Sequence, residues 1–426
     1  MRLHRRRFLL ASTGACASAW AAPPRPNFLF LMADQMRADA LGVSGNKFSE
    51  TPSLDALAHG GVRFANAYCA QALCTPSRSA LLTGVYPHTS GLDHNLYNVP
   101  SAFRMPEFKL TPNWPTLLRA AGYYTGYIGK WHLGEDNPGL FDYWAGYNSL
   151  KPHWMGEKYK SEYRSDFETG QAIEFLERHS SKQFMLFLSY YPPHTPYDPP
   201  LKYEKIYRDK GIDHPGYWGA VTAVDRDLGL VLATLKQLGL ERNTFVSFTA
   251  DHGETFGQRL GSADKTVSYD DSAKVPLLLR WPAGMPGGLV YEGGVSTVDL
   301  MPTILAAAGL PIPARVQGRS RLEEIRRHDL GWKAPVFLEN ITQKDVDGKP
   351  AIERAVRTPE WKLILRDHPR DELYDLVRDP GERTDLMKRP EQKARIRQLA
   401  ELILHWGEKT NDPVAVRLAG KYVLSS

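Results

Sequence analysis

Residues 74–84 read Cys74-Thr75-Pro76-Ser77-Arg78-Ser79-Ala80-Leu81-Leu82-Thr83-Gly84, a stretch that has the marks of a short helix. Pro76 suits the first turn, because proline has a preset φ and lacks an N–H that this turn leaves unbonded. Gly84 suits the left-handed position that often follows a helix end. The pattern predicts Cys74 at the N-terminus, where unpaired N–H groups favour negative charge, with Arg78 reaching the same end. An isolated Cys-x-Pro would more often be a buried free cysteine beside a helix cap.

Two predicted strands end at polar residues. Residues 27–33 are almost continuously apolar, as expected of a strand buried on both faces, and residues 243–250 form a second such segment. Open α/β sheets bind ligands at the carboxyl ends of their strands. If these ends lie side by side, they supply one cation with Asp34, Gln35, Asp251 and His252. Three oxygen donors and one nitrogen suit Ca²⁺ or Mg²⁺ better than a structural Zn²⁺ site, although Asp34 alone would also fit a plain cap.

The Cys-x-Pro-Ser-Arg pattern followed by Ser-Ala-Leu-Leu-Thr-Gly resembles the signature of the type I sulfatases, which belong to the alkaline phosphatase-like superfamily. The resemblance implies that a formylglycine-generating enzyme converts Cys74 to Cα-formylglycine. It also implies one Ca²⁺ or Mg²⁺ per chain, with residue 74 among the ligands. Many members have two adjacent aspartates where this chain has Asp34 and Gln35. A glutamine carbonyl can still coordinate a hard cation.

Three further segments resemble parts of that family. Residues 129–134 resemble the second sulfatase signature, and Lys130 and His132 stand two apart, so in extended chain they would cradle a tetrahedral anion from one side. A solvated lysine and a structural histidine are the alternative. His194, in a proline-rich loop after a predicted strand, is similar to the family's substrate-contacting histidine. Lys265 aligns with its active-site lysine.

The resemblance implies a role for each residue in the attack on a sulfate ester. Hydrated formylglycine at position 74 would attack sulfur, and Asp251 would help accept the proton. Lys130 and Lys265 would hold the charge that develops on the sulfuryl oxygens.

The remaining implied roles concern the leaving groups. His194 would protonate the departing alcohol, with Lys265 as the alternate acid. His132 would act as the base when sulfate is released, and Arg78 would hold the formylglycine end of the helix.

The composition is that of a soluble globular chain, with 426 residues of which 42% are hydrophobic and 24% charged. Arg5-Arg6-Arg7 leads into a short apolar run and small residues through Ala22, which predicts a twin-arginine-like signal peptide over residues 1–22. We therefore expect a periplasmic or secreted bacterial protein. Lipoprotein anchoring through Cys16 is not expected, because Thr13 stands where leucine is usual. Cleavage would remove four arginines and take the formal charge from +5 to about +1, so nothing favours nucleic acid as a partner.

The expected fold class is α/β, an alkaline phosphatase-like sandwich in which helices flank a large, mixed and mostly parallel sheet. Residues 23–320 would form the catalytic domain, and residues 321–426 a C-terminal subdomain with a small antiparallel sheet and a helix. Three cysteines are too few for a disulfide scaffold, and a Cys69–Cys74 bridge would be the structural rival to modification. No segment suggests stable membrane insertion.

Two rival functions stay open from the sequence. Phosphate and phosphonate ester hydrolases of the same superfamily carry similar residues, and a tetrahedral-anion pocket does not distinguish sulfur from phosphorus. A catalytically silent, sulfatase-like binding protein would follow if Cys74 stayed a thiol. For the sulfatase, export favours a sulfated carbohydrate as the substrate, while neither the sugar nor the sulfate position is indicated.

Overall fold

The structure is a computed structural model that describes residues 25–96, 112–134, 137–148, 151–158, 160–259, 265–342, 350–368 and 370–424. The expected signal peptide over residues 1–22 lies outside the described residues. Within the described part of the chain, no helix is both long and apolar enough to cross a bilayer.

The strands of the described residues fall into three sheets. They are β1 (Asn27–Ala33), β2 (Val62–Tyr68), β3 (Tyr124–Lys130), β4 (Tyr143–Tyr147), β5 (Trp154–Met155), β6 (Glu162–Tyr163), β7 (Phe184–Tyr190), β8 (Thr244–Ala250), β9 (Leu277–Arg280), β10 (Leu289–Ser296), β11 (Val336–Thr342), β12 (Ala351–Arg357), β13 (Trp361–Arg366) and β14 (Glu372–Asp375).

The helices of the described residues alternate with these strands in the first three quarters of the chain. They are α1 (Pro52–His59), α2 (Cys74–Thr83), α3 (Pro87–Ser90), α4 (Trp114–Ala120), α5 (Arg164–His179), α6 (Leu201–Arg208), α7 (Pro215–Gln237), α8 (Asp270–Ala273), α9 (Leu300–Ala307), α10 (Leu322–Arg326), α11 (Lys393–Thr410) and α12 (Pro413–Val423).

The central sheet has the strand order β10-β2-β9-β8-β1-β7-β3-β4. Every neighbouring pair is parallel except the two that involve β9. Ala33 at the end of β1 is in register with Ala250 of β8 and with Tyr190 of β7. The residues that follow these strands therefore meet at one edge of the sheet, as the two polar strand ends predict.

Helices cover the sheet in two groups. One group is built on α7, which packs against α1, α5 and α6, and the other on α2, which packs against α3, α4 and α9. The apolar face of α7 is buried, from Val221 to Leu235. In α5, Phe175 and Leu176 are buried while Phe167 is 36% exposed. The result is the expected α/β sandwich.

A second, antiparallel sheet follows the central one in the chain, with the order β11-β12-β13-β14. Helices α11 and α12 pack against it. The small C-terminal sheet and the closing helix agree with the sequence prediction, whereas α12 was not anticipated. Asp412 caps α12 by accepting hydrogen bonds from the N–H groups of Val414 and Ala415.

Candidate active site

Helix α2 presents Cys74 at the sheet edge. It runs from Cys74 to Thr83, all ten of its residues are buried, and the preceding Leu73 is extended. Gly84 ends the helix with φ +67° and donates its N–H to the carbonyl of Ala80. The predicted helix, its start and its left-handed glycine are therefore confirmed, and the buried N-terminus faces the ends of β1, β3 and β8.

The Cys74 thiol lies among three chemically distinct groups. Its Sγ is 3.3 Å from His252 Nε2, 3.6 Å from Lys130 Nζ and 4.0 Å from Asp34 Oδ1. Burial raises the pKa of Cys74, but Lys130, Lys265 and His252 outweigh burial and hold this pKa well below its usual value. The position therefore stabilises negative charge on the side-chain atom of residue 74.

The two described cysteines do not form a disulfide. Cys69 and Cys74 are both free and buried, and the Cys69 thiol donates to the carbonyl of Ala273 over 3.3 Å. Burial, followed by the charge of Asp251, raises the pKa of Cys69. Two cysteines five positions apart thus sit in opposite electrostatic environments, and only Cys74 belongs to the polar cluster.

Arg78 ties the two strand ends together. Its Nη2 is 2.9 Å from Asp34 Oδ2, and its Nε donates to Asp251 Oδ2 over 3.0 Å. Its Nη1 donates to the carbonyl of Lys130 over 2.7 Å and to Ser189 Oγ over 2.9 Å. A buried guanidinium with all these partners keeps both carboxylates charged in a dry environment.

The pKa of Asp34 shows the balance of these charges. Burial and Cys74 push it upward, but Lys130, His194 and Arg78 outweigh them and hold the pKa of Asp34 well below its usual value. Lys130 Nζ forms a short ion pair with the same carboxylate.

Four ligand atoms are suitably placed for a cation. One atom from each of Asp34, Cys74, Asp251 and His252 lies within 4.8 Å of the others. Arg78 occupies the Oδ2 atoms of both aspartates, while Asp34 Oδ1 and Asp251 Oδ1 are each 3.8 Å from His252 Nε2. His252 Nδ1 is 2.9 Å from the carbonyl of Gly253, which places a proton on Nδ1 and turns Nε2 toward Cys74 Sγ and the two aspartates.

The electrostatics of His252 agree with a cation at this point. Burial disfavours the charged imidazolium, but the charges of Asp251 and Cys74 outweigh burial and raise the pKa of His252 to about 9. Two carboxylates, an imidazole and one further anionic position form a donor set that suits a divalent ion. The residues therefore fit the implied metal.

Gln35 is held from both ends of its amide. Its Oε1 accepts a 2.6 Å hydrogen bond from Lys265 Nζ, and its Nε2 donates to the carboxylate of Glu254. Its backbone N–H donates to Asp251 Oδ1 over 3.0 Å, with φ of +61° at Gln35. Such a φ is uncommon for a residue other than glycine, and the contacts on both sides of the residue maintain it.

Lys265 connects Gln35 to His194. Its Nζ is 2.9 Å from His194 Nε2, and His194 Nδ1 is 2.8 Å from the carbonyl of Thr195. Since a carbonyl can only accept, His194 carries its proton on Nδ1 and accepts from the Lys265 ammonium at Nε2. The group with a proton to give on this side of the site is therefore Lys265.

Lys130 and His132 converge on Cys74 in a way that differs from the expectation. β3 ends at Lys130, and His132 has φ of +55°, so the two residues are not successive positions on one side of an extended strand. Burial, with a smaller effect of Lys130, lowers the pKa of His132, although the neighbouring Cys74 raises it. The carbonyl of His132 accepts from Thr75 Oγ1 over 2.6 Å, which fixes this turn against α2.

All ten predicted site residues thus lie in one connected cluster. Lys274 and His88 lie apart from it, since Lys274 donates to Asn66 Oδ1 over 3.3 Å and His88 contacts Glu339. The sequence reasoning missed Glu254, which is fully buried and also accepts from the Tyr197 hydroxyl. Its position directly after Asp251-His252-Gly253 was the available signal.

The mostly parallel α/β sheet, with acids, cations and a helix N-terminus at its carboxyl edge, agrees with the expected alkaline phosphatase-like fold. A sequence model described as "Sulfatase" matches residues 26–310, and one described as "N-sulphoglucosamine sulphohydrolase, C-terminal" matches residues 259–409. The chain belongs to the sulfatase family and is a sulfuric ester hydrolase.

Individual relatives agree over most of the chain. An "Ulvan-active sulfatase" of Formosa agariphila is 30% identical over 411 residues, covering 87% of this chain and 78% of that protein. An "N-acetylglucosamine-6-O-sulfatase" of Bacteroides thetaiotaomicron is 25% identical over 504 residues, covering 91% and 88%. The solved phosphonate monoester hydrolase of Agrobacterium radiobacter shares the fold, with a TM-score of 0.76, 20% identity and coverage of 91% and 96%.

Proposed function

We propose that this sulfatase is an exported enzyme that removes sulfate from a carbohydrate, using formylglycine at position 74 and one divalent cation. The observation that carries the proposal is the place of Cys74, buried at the start of α2 and within 4.0 Å of His252, Lys130 and Asp34. A thiol that served only to fill the core would not need three ionisable neighbours.

A hydrated aldehyde at residue 74 supplies two hydroxyls on one carbon, one to attack sulfur and one to expel the sulfate. A formylglycine-generating enzyme is the partner required for this modification. The residues around position 74 suit such chemistry, since Lys130 and Lys265, which lower the pKa of Cys74, would also stabilise an oxyanion there.

The cation would be Ca²⁺ or Mg²⁺, and Asp34, residue 74, Asp251 and His252 would hold it. The Gln35 carbonyl, here bonded to Lys265, is the proposed fifth ligand. When bound, the cation lowers the pKa of a nearby hydroxyl and neutralises negative oxygens of the substrate. Asp251 then helps to accept the proton from the attacking hydroxyl, and Arg78 keeps both aspartates charged for these tasks.

The remaining cations bind the anionic substrate and move protons. Lys130 and Lys265 hold the sulfuryl oxygens, in an environment where burial strengthens each charge. Proton transfer to the departing alcohol uses the His194–Lys265 pair, whose 2.9 Å contact makes the two residues a single unit. His132, which interacts with residue 74 and whose pKa burial lowers, is the base for release of sulfate.

The finer assignments extend from the comparisons and the N-terminal sequence. The relative that acts on an N-acetylglucosamine sulfate supports a sulfated carbohydrate as the substrate class. We assign residues 1–22 to a cleaved export signal, residues 23–320 to the catalytic domain and residues 321–426 to the C-terminal subdomain. Export would place the enzyme in the periplasm or outside the cell.

A second candidate is hydrolysis of phosphate or phosphonate esters, which the likeness to the phosphonate monoester hydrolase favours. Steady-state kinetics on matched aryl sulfate and aryl phosphate separates the two, and kcat/KM should be higher for the sulfate. A higher value for the phosphate ester would contradict the proposal.

The modification itself is tested on one tryptic peptide, residues 64–78, which contains both Cys69 and Cys74. Protein made with a formylglycine-generating enzyme should accept one alkyl group in this peptide after denaturation, at Cys69, and should carry an aldehyde at position 74. Cys69 is the internal control, because it is alkylated in either case. Two alkyl groups in fully active protein would exclude the mechanism. Two alkyl groups in protein that hydrolyses neither ester would favour the third candidate, a silent binding protein.

A further inference from the structure

A cleft of about 910 Å³ lies at the far end of α2 from Cys74. It is bounded by the turn after α2, the loop that follows α9, the start of β11 and the last turns of α11. Ten residues of helix separate it from Cys74 by roughly 15 Å, at 1.5 Å per residue. None of the ten candidate catalytic and metal-binding residues lines it.

The cleft carries an excess of positive charge. Its lining includes Arg315, Arg319, Arg321 and Lys409, with Asp299 as the acid among the lining residues. Asp299 is already neutralised, because its Oδ2 accepts from Arg321 Nη2 over 2.6 Å and its Oδ1 from the Arg319 N–H over 2.8 Å. Arg315 and Lys409 are exposed and form no ion pair with any residue that the structure describes. These two cations are therefore available to an incoming anion.

One wall of the cleft is aromatic. The rings of Phe337 and Trp406 stack with centroids 5.0 Å apart and an interplanar angle of 6°. Tyr86 meets Trp406 edge-on, also at 5.0 Å. Tyr86 and Trp406 are each only 6% exposed and Phe337 is half-buried, so these rings form an apolar edge of the cleft. Apolar lining and charged groups in one cleft are the combination of a ligand site rather than of a simple ion site.

We propose that this cleft binds an anionic segment of a saccharide chain at a distance from the reacting sulfate ester. The inference rests on the proposed function and adds a second substrate-binding region to it. The volume exceeds what one inorganic anion needs, and the two exposed cations Arg315 and Lys409 suit an occupant that carries more than one anionic group. An acidic peptide is the competing occupant, and the experiment includes it.

Binding is measured in the full-length Cys74→Ala variant, so that no turnover occurs. Titration calorimetry uses short dextran sulfate as the probe, uncharged dextran of the same length, and poly-glutamate. In this background the added Arg315→Ala/Lys409→Ala pair should weaken dextran sulfate binding at least fivefold. The added pair Lys388→Ala/Lys393→Ala removes two exposed lysines outside the cleft and should change the affinity less than twofold. Added salt should weaken binding, because exposed charges are screened.

The outcomes separate this inference from the proposed function. In protein with residue 74 intact, Arg315→Ala/Lys409→Ala should leave kcat and KM for a small aryl sulfate unchanged. If the cleft pair affects dextran sulfate no more than the control pair does, the cleft inference is wrong even when aryl sulfate is hydrolysed. If poly-glutamate binds as tightly through the same residues, the occupant is a peptide and the saccharide proposal is overturned. If the enzyme without these substitutions does not hydrolyse aryl sulfate, that result would instead contradict the proposed function.

Discussion

Gln35 shows how one residue of the site depends on another that lies outside it. The Gln35 amide could turn either its oxygen or its nitrogen to a given neighbour. Because the Glu254 carboxylate accepts a hydrogen bond from Nε2, Oε1 points toward Lys265. Glu254 is itself fixed by the Tyr197 hydroxyl and by the N–H of Phe256. The orientation of the Gln35 carbonyl is therefore a property of Glu254.

Glu254→Gln should weaken binding of Ca²⁺, because the new amide also presents a donor and no longer selects one orientation of Gln35. Losing such a buried acceptor should cost about 1–3 kcal/mol in the free energy of unfolding. Thermal unfolding with and without Ca²⁺ measures both effects, and the Ca²⁺-dependent shift in Tm should shrink. The control is Glu292→Gln, at an exposed position. An unchanged Ca²⁺ shift in Glu254→Gln would remove Glu254 from this role.

The His194–Lys265 contact makes a separate prediction about the leaving group. Since Lys265 carries the proton in this pair, Lys265→Met should reduce kcat on an alkyl or sugar sulfate by about 10²-fold or more, the usual range for a general acid. An activated aryl sulfate needs little protonation and should lose much less. His194→Ala should show the same substrate dependence with a smaller effect.

Lys274→Gln is the matched control for the leaving-group test, because Lys274 is in the same segment but bonds to Asn66. Kinetics of all three variants on both substrates gives the comparison. Equal losses on the two substrates for Lys265→Met would mean that this lysine binds the sulfate group without protonating the alcohol.

The sequence singled out residues that the fold brings into one cluster, but it did not predict their mutual geometry. Cys74, Lys130 and Asp251 each lie in a short sequence motif, so they can be recognised from the residues next to them in the chain. The contact between Lys265 and His194 joins positions 71 residues apart, so only the folded chain defines which of the two carries the proton. The same holds for the amide orientation of Gln35, which depends on a residue 219 positions away.

At the scale of elements, helix and strand ends decide where the site residues are. The apolar runs predicted β1, β7 and β8, because strands buried on both faces have few polar residues. The turn after β3 was mispredicted, since His132 adopts a left-handed conformation that alternation along a strand does not reveal. Helix α12 was missed although Asp412-Pro413 is a recognisable helix start, with a capping side chain and a proline in the first turn.

The end of α2 offers a quantitative test of a single turn. Gly84 has φ of +67°, and a Cβ there would lie 2.9 Å from Val316 Cγ1 and 3.3 Å from Met301 Cβ. An alanine in the left-handed conformation costs about 1–2 kcal/mol without any crowding. Gly84→Ala should therefore lower the free energy of unfolding by more than this amount.

The matched control for this turn is Gly122→Ala. Gly122 has φ of +94° with no atom within 4 Å of the Cβ position, so its substitution reports the backbone cost without crowding. Denaturant titration of both variants gives the difference. Equal destabilisation would show that the neighbours of Gly84 relax freely and that α2 is not tightly held at this end.

At the scale of the whole molecule, the sequence predicted two sheets of the right kind but not the strand order. The antiparallel strand β9 sits between β2 and β8, an arrangement set by packing between distant segments. The two sheets are joined by buried polar contacts such as the Glu339 N–H to the carbonyl of Ala70 at 2.9 Å. Such contacts join residues that follow no periodic pattern, so the sequence alone does not predict them.

His88 lies at this junction and gives it a dependence on pH. Its Nδ1 is 2.9 Å from Glu339 Oε1 of β11 and 3.8 Å from Asp412 Oδ2 at the start of α12. Arg354 faces the same two carboxylates. Burial lowers the pKa of His88, but Glu339 and Asp412 outweigh burial and raise it above its ordinary 6.5.

Because the raised pKa belongs to the folded protein, folding favours the protonated imidazole. The stabilisation from His88 is therefore complete below about pH 6.5, the unfolded value, and is lost as the pH rises through the folded value. The free energy of unfolding of the native protein should fall relative to that of His88→Gln between pH 6 and pH 9. Denaturant titration of both proteins across this range measures the difference, and His94→Gln is the control, because His94 is exposed beside Asp93 alone. A difference between native protein and His88→Gln that stays constant over this range would show that His88 stabilises the junction only as a neutral hydrogen-bonding group.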